Sequence, residues 1–140
     1  MEKGSYYDLV GGNMKRKETN RIILHHTMSG DVSRDVIDEW HKENGWSGIG
    51  YHFVIRYNGD IEIGRQIDEM GAHAKHRNDD SIGIAIVGDF SKNDPTDEQY
   101  DSLKKLVNEL KTEYKISLVE PHHRMCPGHR FDISKIKNTK

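Results

Sequence analysis

The chain has 140 residues, of which 34% are hydrophobic and 31% charged, with a formal net charge of −2 and one cysteine. This length and composition are typical of one globular domain with its own core. The slightly negative net charge argues against a nucleic-acid-binding protein, because the surface that contacts nucleic acid is usually basic. No apolar run approaches the roughly 20 residues that cross a bilayer, and a lone cysteine excludes an internal disulfide.

The N-terminal segment shows little periodicity and contains the pair Gly11-Gly12. We expect an N-terminal extension over residues 1–19 and a single domain over residues 20–140. The segment lacks the charged-then-apolar layout of a secretory signal, so we expect synthesis in the cytoplasm without a signal peptide.

The first regular elements are a strand and a helix. Ile22-Ile23-Leu24 is a short continuous apolar run, as in a strand covered on both faces. Val36, Ile37 and Trp40 then recur at helical spacing, which places Trp40 in the predicted core. Ser33 can cap this helix, which should end before Gly45.

A hairpin follows. In residues 51–57 the odd positions are Tyr, Phe, Ile and Tyr, and the even positions are His, Val and Arg. Such alternation is a strand pattern. Asn58-Gly59 and then Ile61-Glu62-Ile63 come directly after. Asn-Gly between two alternating runs predicts a two-residue type I′ turn, which needs positive φ at both central residues.

The second half predicts a buried strand, a long helix and a last strand. Residues 82–87 form the apolar run, and residues 96–99 read as a capping box. The apolar stripe of the helix comprises Tyr100, Leu103, Leu106, Val107, Leu110 and Tyr114. Residues 116–119 resemble a final strand. This order predicts an α/β domain with a central mixed sheet and helices on both faces.

Two histidine pairs and the cysteine could carry chemistry. His25 and His26 end the first strand, and His122 and His123 precede Cys126. Side chains alternate along a strand, so only one of the first pair can face a given site. Zinc takes nitrogen and sulfur ligands tetrahedrally, and a catalytic site uses three of them. The candidate set is His25, one of His122 or His123, and Cys126.

Several motifs in series resemble the type 2 N-acetylmuramoyl-L-alanine amidases, a family that includes phage lysozymes of the amidase kind and the peptidoglycan recognition proteins. The resemblance covers roughly residues 20–132 and is strongest to single-domain phage enzymes. The matching motifs are Ile23-Leu24-His25-His26-Thr27, Trp40-His41-Lys42, Gly45-Trp46, Ile49-Gly50-Tyr51-His52-Phe53, Gly71-Ala72-His73-Ala74, Asn78, Ser81-Ile82-Gly83-Ile84, Val87-Gly88-Asp89-Phe90 and Cys126-Pro127-Gly128.

The resemblance implies a zinc amidase domain over residues 20–140. It implies that His25, His122 and Cys126 ligate zinc, and that Tyr51 is the catalytic tyrosine beside the metal. The implied substrate is peptidoglycan, cut at the amide between N-acetylmuramic acid and L-alanine.

The chain departs from the family pattern near the cysteine. The family usually has about seven residues between the late histidine and the cysteine, whereas three separate His122 from Cys126. His123, and more remotely His129, are therefore rival ligands. Arg124 stands where the family has a Lys or Thr that stabilises the reacting carbonyl, and we assign it that catalytic role.

Three further residues are expected to bind substrate. Trp46 follows a glycine and suits contact with sugar or peptide, His73 lies among small residues that let a ligand approach, and Lys75 opens a short basic run. We expect a monomer that binds peptidoglycan, without nucleic-acid or membrane partners, and that acts on the cell wall after holin-assisted or lytic release. The alternative is a non-catalytic peptidoglycan-binding module of the same fold.

Overall fold

The protein, described here by a computed structural model over residues 14–137, contains five strands and three α-helices in that range. In chain order the elements are β1 (Arg21–His26), α1 (Arg34–Glu43), β2 (Phe53–Ile55), β3 (Ile61–Ile63), a 3₁₀ turn (Asn78–Asp80), β4 (Ser81–Ile86), α2 (Asp97–Tyr114), β5 (Leu118–Pro121) and α3 (Ser134–Lys137). The order of the main elements is the one predicted from the sequence.

The strands form one mixed sheet in the order β3-β2-β4-β1-β5. β1 pairs in parallel with both β4 and β5, and β2 pairs in parallel with β4. Only the β2–β3 hairpin is antiparallel. Because parallel strands end at the same edge of a sheet, the residues that follow β1 and β5 come together.

Each face of the sheet is covered by one of the two longer helices. α2 packs with Leu103 and its neighbours against the face that carries Ile22, Leu24 and Ile84. On the opposite face, Ile37 of α1 clusters with Ile49, Val54 and Val87. The predicted mixed sheet with helices on both faces is confirmed.

Local side-chain contacts fix where both long helices begin. The Ser33 hydroxyl accepts a hydrogen bond from the Val36 N–H, and Thr96 and Gln99 form the predicted capping box. The core position predicted for Trp40 is wrong, because Trp40 is 39% exposed. Ile37 is the buried residue of α1, and it contributes to the cluster on this face of the sheet.

The predicted hairpin is present, but its turn type is wrong. The Arg56 N–H donates to the Asp60 carbonyl and the Gly59 N–H donates to the Arg56 carbonyl, which encloses three residues rather than two. Gly59 has φ 92°, but Asn58 is not among the residues with positive φ. The Asn58 carboxamide oxygen instead accepts from the Asp60 N–H, so this side chain stabilises a three-residue loop.

The described part of the predicted extension lies against the loop that follows β3. Lys15 forms a β-bridge with Glu69, and the Arg16 N–H donates to the Asp68 carbonyl at 2.8 Å. The rest of the predicted extension, residues 1–13, lies outside the described residues. Within residues 14–137, no helix combines the length and apolarity of a membrane span.

Leu103→Ala is predicted to lower the free energy of unfolding by about 2–5 kcal/mol, because Leu103 is fully buried and its truncation leaves a cavity beneath the sheet. Chemical denaturation of both proteins measures the difference. Lys105→Ala, at an exposed position of the same helix, is the control and should change stability little. A loss as small for Leu103→Ala as for the control would contradict this packing.

Candidate active site

His25 is the centre of the candidate site. It ends β1 on the face covered by α1, and only 2% of its surface is exposed. Its ring centroid lies 4.6 Å from that of His122 and 5.0 Å from that of Tyr51. His26 points to the other face, where its Nδ1 accepts from the Phe90 N–H at 3.1 Å. The predicted alternation of this pair is confirmed.

A tight turn brings Cys126 beside His122. The His122 N–H donates to the Leu24 carbonyl at 3.0 Å, which extends the pairing of β5 with β1. His123 and Cys126 then exchange two backbone hydrogen bonds of 3.0 Å, so that only Arg124 and Met125 form the tip of the turn. The short connection therefore reaches the site because the chain folds straight back on itself.

The three predicted ligands converge. One ligand atom each from His25, His122 and Cys126 lies within 4.8 Å of the other two, and Nδ1 of His25 is 3.9 Å from Sγ of Cys126. In a tetrahedral zinc site, bond lengths of about 2.0–2.3 Å separate neighbouring ligand atoms by roughly 3.3–3.6 Å. Small side-chain shifts would close the remaining gap, and two imidazoles with one thiol are a donor set that suits zinc.

Burial sets the protonation of these groups. It lowers the pKa of His25 well below the ordinary 6.5, with further lowering by His122 and Arg77. It lowers the pKa of His122 to about 4, helped by the neighbouring His123 and Arg77. Both imidazoles are therefore neutral near pH 7, which is the form that binds metals. Burial also raises the pKa of the Cys126 thiol, while the His26 N–H opposes that shift.

Tyr51 is held against His25 by α1. The carboxylate of Asp38 accepts from the Ile49 N–H at 2.7 Å, and Nδ1 of His41 accepts from the Gly50 N–H at 2.9 Å. These two bonds fix the backbone immediately before Tyr51. Burial raises the pKa of the Tyr51 hydroxyl, with a further contribution from Cys126, so the hydroxyl keeps its proton at neutral pH.

Trp46 and His41 form an aromatic surface next to Tyr51. The Trp46 ring meets the His41 ring edge to face, with centroids 4.7 Å apart, and His41 lies 5.4 Å from Tyr51. Trp46 is partly exposed, as a residue that contacts a ligand must be. The three rings form a continuous row from Trp46, which the sequence predicted to bind substrate, to Tyr51 beside His25.

Three residues to which the sequence assigned roles, His73, Arg124 and Lys75, lie outside the set of predicted ligands. His73 is 9% exposed and lies behind His25, with its Nδ1 2.8 Å from Nε2 of His25. The sequence predicted that His73 contacts substrate, whereas its ring packs under His25. Arg124 is exposed at the tip of the turn. Lys75 is exposed in the loop after His73.

Arg77, which the sequence placed in the short basic run that begins at Lys75, is a cation that contacts the site. Its guanidinium donates to the carbonyl oxygen of His122 and forms an ion pair with Glu120 at 2.5 Å. Arg21 binds the same carboxylate at 3.2 Å. The basic run that begins at Lys75 was the available signal, but it does not show which cation turns inward.

The neutral histidines predict how stability depends on pH. The pKa of His41, His52 and His122 is lowered from 6.5 to about 4, mainly by burial. As the pH falls from about 6.5 to about 4, the unfolded chain therefore binds protons that the folded protein does not, and the free energy of unfolding decreases. Asp31, whose pKa is lowered from 3.8, loses its contribution only at more acidic pH.

Urea unfolding of the metal-free protein at about pH 7 and about pH 5 measures this dependence. The midpoint should be lower at the more acidic pH. Equal or greater stability at pH 5 would contradict the neutral state of the buried histidines.

Comparisons with known proteins agree with the geometry. The family model described as N-acetylmuramoyl-L-alanine amidase matches residues 15–138. The endolysin of Klebsiella phage KP32 is 39% identical over 133 residues, which cover 86% of this chain and 87% of that protein. Among solved structures, the N-acetylmuramoyl-L-alanine amidase LysC from Clostridium intestinale URNW is 40% identical, with a TM-score of 0.83 and coverage of 86% and 83%. Bumblebee PGRP-SA is 25% identical, with a TM-score of 0.81 and coverage of 91% and 86%. The chain belongs to the N-acetylmuramoyl-L-alanine amidase family, and is an amidase of that type.

Proposed function

We propose that the protein is a zinc-dependent endolysin that cleaves the amide between N-acetylmuramic acid and L-alanine in peptidoglycan. The observation that carries the proposal is the convergence of His25, His122 and Cys126, whose ligand atoms lie within 4.8 Å of one another. Similarity to phage endolysins and to the amidase LysC supports the same reaction. In this proposal residues 20–140 form the catalytic domain and residues 1–19 an extension.

The donor set suits zinc in charge as well as in geometry. Two neutral imidazoles and one thiolate leave one tetrahedral position for solvent or substrate. When bound, zinc lowers the pKa of water towards neutrality and polarises a carbonyl as a Lewis acid. Burial disfavours the Cys126 thiolate in the metal-free protein, and a bound cation reverses that preference.

Tyr51 supplies a hydrogen-bond donor to the reacting centre. Its ring centroid is 5.0 Å from that of His25, and its raised pKa keeps the hydroxyl protonated at neutral pH. A protonated hydroxyl can donate to the oxyanion that develops when the amide carbonyl is attacked. Loss of one such donor typically costs about 3–4 kcal/mol of transition-state stabilisation.

The substrate runs over the surface next to this centre. The partly exposed ring of Trp46 offers an apolar face to sugar or peptide, and the exposed Lys75 can bind carboxylates of the stem peptide. Arg124 is exposed at the tip of the turn that leads to Cys126. Its role in stabilising the reacting carbonyl stays a prediction, which Arg124→Ala would test.

A non-catalytic peptidoglycan-binding module is the second candidate, and similarity to PGRP-SA favours it. Such a module needs a surface that binds peptidoglycan but does not need the metal. The juxtaposition of Cys126 with His25, His122 and Tyr51 supports the enzyme, because it supplies a donor set for zinc that a binding module does not need.

Purified protein is predicted to hold about one zinc ion per chain and to lyse isolated cell-wall material. His25→Ala and Cys126→Ala should abolish both, because each removes one of three protein ligands. His129→Ala, at an exposed position, is the control and should retain both. Metal analysis and wall-turbidity assays give the two readouts. Protein without zinc that still binds the wall would establish the binding module instead.

The two late histidines are predicted to differ in their effect on zinc affinity. His122→Ala should weaken it by more than the roughly 10- to 100-fold typical of an outer partner, whereas His123→Ala should weaken it less. The His123 ring is exposed, and its Nδ1 accepts from the Met125 N–H at 3.1 Å. Chelator competition measures both affinities, and the reverse ranking would show that His123 is the ligand.

A further inference from the structure

A line of hydrogen-bonded groups runs from His25 away from the candidate metal site. Nε2 of His25 lies 2.8 Å from Nδ1 of His73, and Nε2 of His73 lies 3.1 Å from the Ser81 hydroxyl. The Ser81 hydroxyl donates to the carbonyl of Arg77 at 2.6 Å. Both imidazoles and Ser81 are buried, so water does not compete for these bonds.

The last group sets the direction of every bond in the line. A carbonyl oxygen can only accept, so the single hydroxyl hydrogen of Ser81 points at Arg77. The Ser81 oxygen can then only accept from His73, which requires the proton of neutral His73 to be on Nε2. Nδ1 of His73 is therefore a bare acceptor, and His25 must donate to it from Nε2–H.

We propose that His73 and Ser81 fix His25 in the tautomer that carries its proton on Nε2, so that Nδ1 is the atom that ligates the metal. His73 is thus a positioning residue for the metal site, and not a residue that contacts substrate. The inference rests on the proposed zinc-dependent function. It adds to that function the ligating atom of His25 and the two side chains that select it.

The geometry on the opposite side of the ring agrees with this assignment. Nδ1 of His25 is the nitrogen that faces Cys126, with Sγ at 3.9 Å, whereas Nε2 is occupied by His73. A ring with its proton on Nδ1 would point a donor at the metal position and leave two bare nitrogens facing each other across 2.8 Å. Such an arrangement would be destabilising, because neither nitrogen could then donate.

The position of His73 is built into the sheet. Gly83 stands in the middle of β4, and a Cβ atom there would come within 2.5 Å of Cγ of His73. The absence of a side chain at this strand position leaves the space that the His73 ring occupies. The Asn78 carboxamide oxygen accepts from the His73 and Ala74 N–H groups at 2.9 and 2.8 Å, which fixes the backbone of His73.

Arg77 joins the supports of both histidine ligands. Its carbonyl ends the line that begins at His25, and its guanidinium donates to the carbonyl of His122. Residues 73–81 therefore support His25 through its imidazole ring and His122 through its backbone carbonyl. Arg77 thus supports both histidine ligands without being a ligand itself.

The test compares three variants of the full chain. His73→Ala removes the acceptor for His25. His73→Asn restores an acceptor, because the carboxamide oxygen lies the same number of bonds from Cα as the imidazole Nδ1, although the smaller side chain fills only part of the space of the ring. His76→Asn, at an exposed position of the same loop, is the matched control for the asparagine substitution.

Two readouts are needed, zinc affinity by chelator competition and the tautomer of His25 by nitrogen-15 NMR of the imidazoles. His73→Ala should weaken zinc binding by about 10- to 100-fold and leave His25 as a mixture of tautomers in the metal-free protein. His73→Asn should recover most of the affinity and the Nε2–H tautomer. His76→Asn should change neither.

Two results would overturn the inference. One is a native protein in which His25 carries its proton on Nδ1 or ligates zinc through Nε2. The other is equal zinc affinity in His73→Ala and His73→Asn, which would show that an acceptor at this position does not support zinc binding. A native protein that binds no zinc would refute the proposed function, and the tautomer of the metal-free protein would still decide the role of His73.

Discussion

Parallel pairing of β5 with β1 is the constraint on which the site depends. It places the chain after Pro121 next to the end of β1, and the hydrogen bond from the His122 N–H to the Leu24 carbonyl extends that register by one residue. The turn from His123 to Cys126 then returns the thiol to the same place. His25 thus meets two groups that lie more than 90 residues later in the sequence, because two strands lie side by side. The shortness of the turn determines which residues remain outside: Arg124 and Met125 at its tip are exposed, while Cys126 at its end lies buried in the site.

The site concentrates imidazoles, and among residues 14–137 no carboxylate raises the pKa of His25, His73 or His122 against the effect of burial. Burial and mutual repulsion lower the pKa of His25, His73 and His122 and keep them neutral, and the guanidinium of Arg77 adds to the effect on His25 and His122. A protein that needed only stability would not bury so many titratable groups. A divalent cation gives these groups a partner, since neutral imidazole is a ligand and the thiol becomes a thiolate on binding. Metal binding and folding should therefore stabilise one another.

The sequence was sufficient for the sheet and the two longer helices, which follow from apolar periodicity, and for the orientation of His25, which follows from the alternation of side chains in β1. The choice of His122 over His123 came from the resemblance to the amidase family. The sequence was not sufficient where a single side chain chose between two local structures. The turn at Asn58 depends on a carboxamide that accepts from the Asp60 N–H. Periodicity placed Trp40 on the apolar face of α1, but Ile37 is the buried residue of that helix and Trp40 is 39% exposed. The position of His73 follows from the space left by Gly83 on a neighbouring strand, a contact that sequence spacing does not encode.

The central claim is that two imidazole nitrogens and the sulfur of Cys126 bind one zinc ion. X-ray absorption spectroscopy of the zinc-loaded protein tests it most directly, because sulfur and nitrogen neighbours differ in both distance and scattering. The account predicts one sulfur at about 2.3 Å and two imidazole nitrogens at about 2.0–2.1 Å, with a further light atom completing four-coordination. A spectrum without a sulfur neighbour, or with only one imidazole, would contradict it.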